Sequence, residues 1–271
     1  MTAQQPAYPA GSVIITGASE GIGRALALAL AGTGVQLTLA ARIVERLRAT
    51  AADCEARGAA VLAVPTDVAQ REQCEALVAA AVQRFGRIDA LVNNAGVTMW
   101  ARFDAVADPS VFETLMRVNY LGSVYATRAA LPHLQRSQGL IVAVASVAGL
   151  TGVPERTGYA ASKHAMIGFF ESLRIELAGS GVDVTIVAPD FVRSEIHRRA
   201  IGADGTPLGT TPMQESKIMT ADACAALIVR AMQRRDRMLV TSLRGRLGRL
   251  LKPFVPTLLD RIAARAIRER R

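Results

Sequence analysis

"SVIITGASEGIGRALALALAG", residues 12–32, runs from a strand-like segment through a glycine turn into a helix. "SVIIT" (12–16) is apolar and β-branched almost throughout, the composition of a strand covered on both faces. "TGASEGIG" (16–23) then sets Gly17, Gly21 and Gly23 at the spacing G-x-x-x-G-x-G, and a helical pattern follows over 22–31. Glycines at a strand end let the backbone turn sharply and approach a ligand, and the helix N-terminus behind them favours a pyrophosphate. Three glycines could also form a plain turn. Their place directly after the first strand favours dinucleotide binding.

Outward from this unit the same alternation continues. Strands are expected at 35–40, 60–64, 88–93, 140–146, 182–188 and 237–241, with helices at 43–57, 70–85, 109–135, 160–178 and 220–235. That order predicts an α/β fold of Rossmann type, a doubly wound parallel sheet of about seven strands with helices on both faces. The 271 residues suit a single catalytic domain over 1–241 followed by a helical tail over 242–271. Hydrophobic residues make up 51% of the chain, enough for a large core and against disorder. No apolar run reaches the ~18 residues of a membrane span, and the N-terminus has no signal-peptide pattern. Cys54, Cys74 and Cys224 are scattered without metal or disulfide spacing and read as buried residues in a reducing compartment. No metal site is expected, and the chain reads as cytoplasmic.

Charge narrows the classes further. The net charge is +9, but residues 242–271 carry nine Arg/Lys against two acids, which leaves +2 for residues 1–241. The basicity therefore belongs to the tail. Apart from Phe254 that tail lacks interleaved aromatics, so nucleic-acid binding is not expected.

The end of the second strand bears on cofactor choice. No acid occurs between Gly23 and Glu45, so the carboxylate that would accept from a ribose 2′-hydroxyl is missing. Arg42 stands there instead, where a guanidinium could clasp a 2′-phosphate; the other reading is a solvated helix start. NADP(H) is expected over NAD(H). Asp67 follows the third strand and could accept from an adenine amino group or cap the helix near Gln70. "NNAG" (93–96) could pack beside the adenosine or tie strands together.

Together, "TGASEGIG", "NNAG", Asn119 in "VNYLG", Ser146 in "VASVAGL", and Tyr159 with Lys163 in "YAASK" resemble the short-chain dehydrogenase/reductase family over roughly residues 11–241. The resemblance implies hydride transfer between NADP(H) and a carbonyl or secondary alcohol. Tyr159 would be the general acid/base, and Lys163, at i+4 on the same helix face, would favour its phenolate and hold the nicotinamide ribose. Ser146 would hydrogen-bond the substrate oxygen, and Asn119 would hold a water leading from Lys163 to solvent. Cofactor contacts are implied at Gly17, Ser19, Gly21, Ile22, Gly23, Arg42, Asp67, Val68, Asn94, Ala95, Gly96, Pro189, Val192 and Ser194. The family's usual Pro-Gly after strand six is Pro189-Asp190 here, which would put a carboxylate near the nicotinamide.

Residues 190–219 read as a substrate lid, where Phe191, Ile196, Ile201, Leu208 and Met213 suggest an apolar alcohol or ketone. "HRR" (197–199) could meet an anionic group but reads as a solvated face. In the tail, apolar residues from Leu243 to Ile267 recur at steps of three and four between arginines, and Pro253 and Pro256 divide the run. Such a tail could lie on an anionic membrane, cap its own active site or join subunits. Family habit suggests a homodimer or homotetramer built on helices 109–135 and 160–178. The rival functional reading is a catalytically silent NADP(H)-binding regulator.

Overall fold

The computed structural model of the chain describes residues 11–268 except 33, 212 and 214–217. Part of the lid reading therefore lies outside the described residues, as does the side chain of Ile267 in the tail's apolar stripe.

Seven parallel strands form one sheet. They are β1 (Ser12–Thr16), β2 (Gln36–Ala41), β3 (Ala60–Pro65), β4 (Ala90–Asn93), β5 (Leu140–Val144), β6 (Asp183–Ala188) and β7 (Met238–Val240), in the order β3-β2-β1-β4-β5-β6-β7. Helices α1 (Gly21–Ala31), α2 (Val44–Glu55) and α7 (Ala221–Arg234) cover one face. Helix α3 (Arg71–Phe85) covers the other with α5 (Gly122–Ser137) and α6 (Thr157–Glu176). The alternation of a strand explains the two cores: Val13 and Ile15 point into the first, Ile14 into the second. Cys54, Cys74 and Cys224 are all buried.

The chain winds outward from β1 to β3 and then returns to β4 on the other side of β1. At such a reversal the loops leaving neighbouring strands diverge and open a crevice beyond their C-terminal ends. The glycine turn leaves β1 there, and "NNAG" leaves β4. Gly17 has φ +67°, and a Cβ on it would lie 2.8 Å from Ala95 Cα, so only glycine lets these two loops touch.

Two departures from the expected elements matter to the site. The expected helix over 109–135 is continuous in path but divided: α4 (Ser110–Leu115), a π-helical segment (Met116–Leu121) and then α5. The wider turn falls on Asn119, a kind of irregularity frequent at functional sites. Strand β5 ends at Val144, with the Ala145 amide making the last bond to β6 through Val187 O at 2.8 Å, and Ser146 lies in the loop beyond. Beyond β7 the tail forms α8 (Leu243–Leu251) and α9 (Pro256–Arg268). Among the described residues no helix is long and apolar enough to cross a membrane.

Gly23 supplies a test of the turn. A Cβ on it would stand 2.3 Å from Gly17 O, whereas one on Gly32 would meet nothing within 4 Å. Gly23→Ala should cost ~1–3 kcal/mol by overpacking, read as a lower urea midpoint, and Gly32→Ala should change it by less than ~0.5 kcal/mol.

Candidate active site

A cleft of about 660 Å³ opens at the C-terminal ends of the strands, a volume ordinary for a small-molecule site. At one end its floor is the glycine turn, through Gly17, Ser19, Gly21 and Ile22. Arg42 stands exposed on its rim after β2, with Asp67 and Val68 after β3. Asn94, Ala95 and Gly96 form the middle, and Ser146, Tyr159 and Lys163 the other end. Pro189, Val192 and Ser194 close it from above; a Cβ on Gly21 would lie 3.1 Å from Ser194 Cβ, so this segment rests on the turn. Of the residues expected from sequence, Gly23 and Asn119 stand behind the wall. Gly23 packs on the Gly17 carbonyl, and Asn119 backs Gly96.

Helix α6 begins earlier than its periodicity suggests, at Thr157, so Tyr159 falls in its first turn. Both Tyr159 and Lys163 are buried, and the Lys163 ammonium lies 5.9 Å from the centre of the Tyr159 ring. Lys163 Nζ donates to Val144 O at 2.9 Å, which anchors it to the end of β5. Burial, and then the Arg156 charge, push its pKa down from 10.5 to about 7. Ser146 Oγ accepts from the Ala148 amide at 3.1 Å, while its own contact to Pro189 O is a weak 3.5 Å.

"NNAG" does two jobs. Asn94 Nδ2 donates to Thr16 O at 2.9 Å and Asn93 Nδ2 to Thr127 Oγ1 at 2.9 Å, tying β4 to its surroundings, while Ala95 and Gly96 face the cleft. Asn119 is engaged too: its amide donates to Val97 O and Ser162 Oγ, both at 2.9 Å, and accepts from Val97 N at 2.8 Å. Both side-chain donors are therefore committed to protein, and the amide's remaining capacity for water is at Oδ1 alone.

Several expectations change. Asp67 does not cap the following helix; Oδ1 accepts from Ala69 N at 3.0 Å, and α3 starts after an uncapped Gln70. Asp190 adopts no left-handed backbone, and its carboxylate is not aimed at the cofactor end as a free charge. It bonds Arg244 through two contacts of 2.5 and 2.6 Å and Ser242 at 2.6 Å, all from the tail. Burial alone would raise its pKa, but these partners hold its carboxyl below the usual range. "HRR" is only partly a solvated face: Arg198 is exposed, but His197 is buried and Arg199 grips both carboxylate oxygens of Glu20 at 2.7 Å. Burial first, then Arg156, push His197 down to about 4. Of the lid's apolar residues, Phe191, Ile196 and Ile201 reach the cleft. Leu208 packs against Gly202, and Met213 is buried away from the wall.

Sequence reasoning missed Arg156, three residues before Tyr159. Its guanidinium is buried on the cleft wall, 4.3 Å from the centre of the Tyr159 ring, with Nη2 donating to Thr98 Oγ1 at 2.6 Å. Trp100 and Phe191 flank the same cation at 5.2 and 5.6 Å. The i, i+3 spacing to Tyr159 was the available signal, but it needed the helix to start at 157 rather than 160. Arg244, Gly248 and Leu259 of the tail also line the cleft, in keeping with the expectation that the tail could cap its own active site.

Comparison with known proteins agrees with this geometry. A family model described as short chain dehydrogenase matches residues 12–203. The chain is 36% identical over 255 residues to 11-beta-hydroxysteroid dehydrogenase 1A of Arabidopsis thaliana, covering 92% of this chain and 73% of that one. It is 39% identical over 227 residues to dehydrogenase/reductase SDR family member 7 of Homo sapiens, covering 81% and 66%. Among solved structures, a short-chain dehydrogenase/reductase from Burkholderia phymatum in complex with NAD superposes with a TM-score of 0.82 at 29% identity, over 92% of this chain and 95% of that one. An alcohol dehydrogenase from Thermococcus sibiricus complexed with 5-hydroxy-NADP gives 0.73 at 28% identity, over 85% and 95%. The fold is thus one that holds nicotinamide cofactors, and the chain belongs to the short-chain dehydrogenase/reductase family of oxidoreductases.

Proposed function

We propose that the protein interconverts an apolar ketone and secondary alcohol with NADP(H), using Tyr159 as general acid in reduction and general base in oxidation. The observation that carries this reading is the convergence of Ser146, Tyr159 and Lys163 on the cleft floored by the glycine turn. The turn suits a dinucleotide, because Gly17 and Gly21, both at positive φ, lead the backbone to the N-terminus of α1, where a pyrophosphate is favoured. Gly17, Ser19, Gly21, Ile22 and Ser194 would hold the pyrophosphate, with Gly23 supporting the turn from behind. Asp67 and Val68 would meet the adenine, and Asn94, Ala95 and Gly96 the adenosine ribose. Lys163 and Tyr159 would take the nicotinamide ribose, and Pro189 and Val192 the nicotinamide. When bound, the cofactor supplies or accepts a hydride.

The chain's own groups handle the oxygen and its proton. In reduction Tyr159 gives its hydroxyl proton to the substrate oxygen, balancing the hydride received at carbon. Ser146 steadies the developing charge on that oxygen, since its hydroxyl gives up only a 3.5 Å contact to do so. Two cations face the Tyr159 ring, the Lys163 ammonium and the Arg156 guanidinium, and both favour the phenolate left behind. Preference for the 2′-phosphorylated cofactor is supported by Arg42 on the rim and by Glu20, whose carboxylate is already taken by Arg46 and Arg199. A homodimer or homotetramer through α5 and α6 remains part of the proposal; Ile175, 72% exposed on α6, is a side chain such a contact would cover.

Tyr159→Phe should lower kcat/KM for a ketone by ~10²–10⁴-fold while NADPH affinity changes by less than ~3-fold; full activity in the variant would eliminate Tyr159 as the acid. Removing a bond to a charged phosphate costs ~1.5–3 kcal/mol, so Arg42→Ala should reduce kcat/KM with NADPH by ~10–100-fold and leave NADH nearly unchanged. A wild type that prefers NADH would refute the cofactor assignment.

Lys163 also sets a stability signature. Between pH values of about 7 and 10.5 the unfolded chain keeps a proton that folded Lys163 has released. Unfolding binds protons there, so cofactor-free stability should rise with pH across that window. Lys163→Met should flatten that rise in urea melts, and an unchanged slope would contradict the burial cost.

A further inference from the structure

Helices α8 and α9 have two unlike sides. Inward, a Cβ on Gly245 would press within 2.8 Å of Val147, Lys252 Nζ donates to Leu150 O at 2.9 Å, and Arg244 is paired with Asp190. Gly248, Leu259 and Ala263 reach the cleft wall from the same side. Outward, the tail is apolar and uncovered. Of ten large hydrophobic side chains exposed among the described residues, seven lie between 243 and 262, including Leu247, Leu250, Leu251 and Leu258, and Phe254 at the corner is 80% exposed. Contiguous exposure of this kind marks an interaction surface. Ile262 belongs to both sides, exposed and on the cleft wall, so the outer apolar face runs into the cleft mouth.

Charge selects the occupant. Residues 243–265 hold six arginines and lysines against Asp260 alone; Arg244 and Lys252 are engaged inward, and Arg246, Arg249, Arg261 and Arg265 are exposed. In a symmetric contact the same patch meets itself, which would set these cations against their copies. An anionic bilayer accepts both features, apolar side chains among acyl chains and cations at the headgroups, each contributing ~1 kcal/mol near the surface. We propose that α8 and α9 dock the protein on an anionic lipid surface with the cleft mouth facing it, so that the substrate is a lipophilic ketone or alcohol drawn from the bilayer. The docking stands on the tail alone; the substrate class rests on the reading in the preceding subsection.

The test uses the full chain and Leu250→Ser/Phe254→Ser, neither of which lines the cleft. Vesicle flotation should recover the wild type with equimolar phosphatidylcholine and phosphatidylserine, and at least ~10-fold less with phosphatidylcholine alone. Added salt should weaken the recovery, and the double variant should bind at least ~10-fold more weakly. Both proteins should reduce a short water-soluble ketone equally, while a long-chain ketone carried in the anionic vesicles should be turned over ~10-fold faster by the wild type. Equal flotation of variant and wild type would overturn the proposal, as would light scattering that shows a dimer dissociated by the double substitution. Flotation as expected, with no turnover of either ketone, would instead sink the oxidoreductase reading and leave the docking intact.

Discussion

Burying the Lys163 ammonium at the end of β5 is the constraint on which the site depends. A cation removed from water is costly unless bonded and balanced, and here it has the Val144 carbonyl, the Met166 sulfur and the Tyr159 ring around it. With Arg156 adding further positive charge, that environment favours loss of the lysine proton. A phenolate beside it would reverse the preference. A negative charge on the Tyr159 oxygen would pair with the ammonium and offset the cost of burying it. That coupling is what the proposed chemistry uses.

The surrounding architecture keeps the pair in place. The π-helical segment turns Asn119 toward the Val97 backbone and Ser162, so the loop after "NNAG" and the first turns of α6 are bonded to one side chain. Gly96 fits between them because a Cβ there would come 3.2 Å from Asn119 Oδ1. Across the cleft, Phe191 lies near two guanidiniums, Arg156 at 5.6 Å and Arg244 at 5.7 Å. Arg244 in turn holds Asp190. The N-terminal end of α6, the segment after β6 and the C-terminal tail thus share a single run of cation–aromatic and ionic contacts, and the carboxylate at the family's usual glycine position serves as the tail's anchor.

The sheet was legible because strands buried on both faces must be apolar throughout, and each strand lay within two residues of its expected bounds. The cleft residues were legible for a different reason: they follow strand ends, so their order in the chain fixes their place in space. What escaped the sequence depends on contacts between distant segments. Glu20 reaches Arg199 across 179 residues and Asp190 reaches Arg244 across 54, and neither pair has a local pattern to reveal it. The helix cap expected at Asp67 is instead an Asx turn, because the two use the same residue type at nearly the same spacing. Arg156 was missed because the helix begins before its apolar periodicity does.

The proposed function rests on fixed positive charge facing the Tyr159 ring, which favours loss of its hydroxyl proton. The pH dependence of kcat/KM for alcohol oxidation, compared between wild type and Lys163→Met, tests it most directly. Loss of the ammonium should move the onset of oxidation to higher pH as well as lowering its plateau. An onset that stays in place while only the plateau falls would show that Lys163 positions the cofactor and leaves the phenol's proton alone.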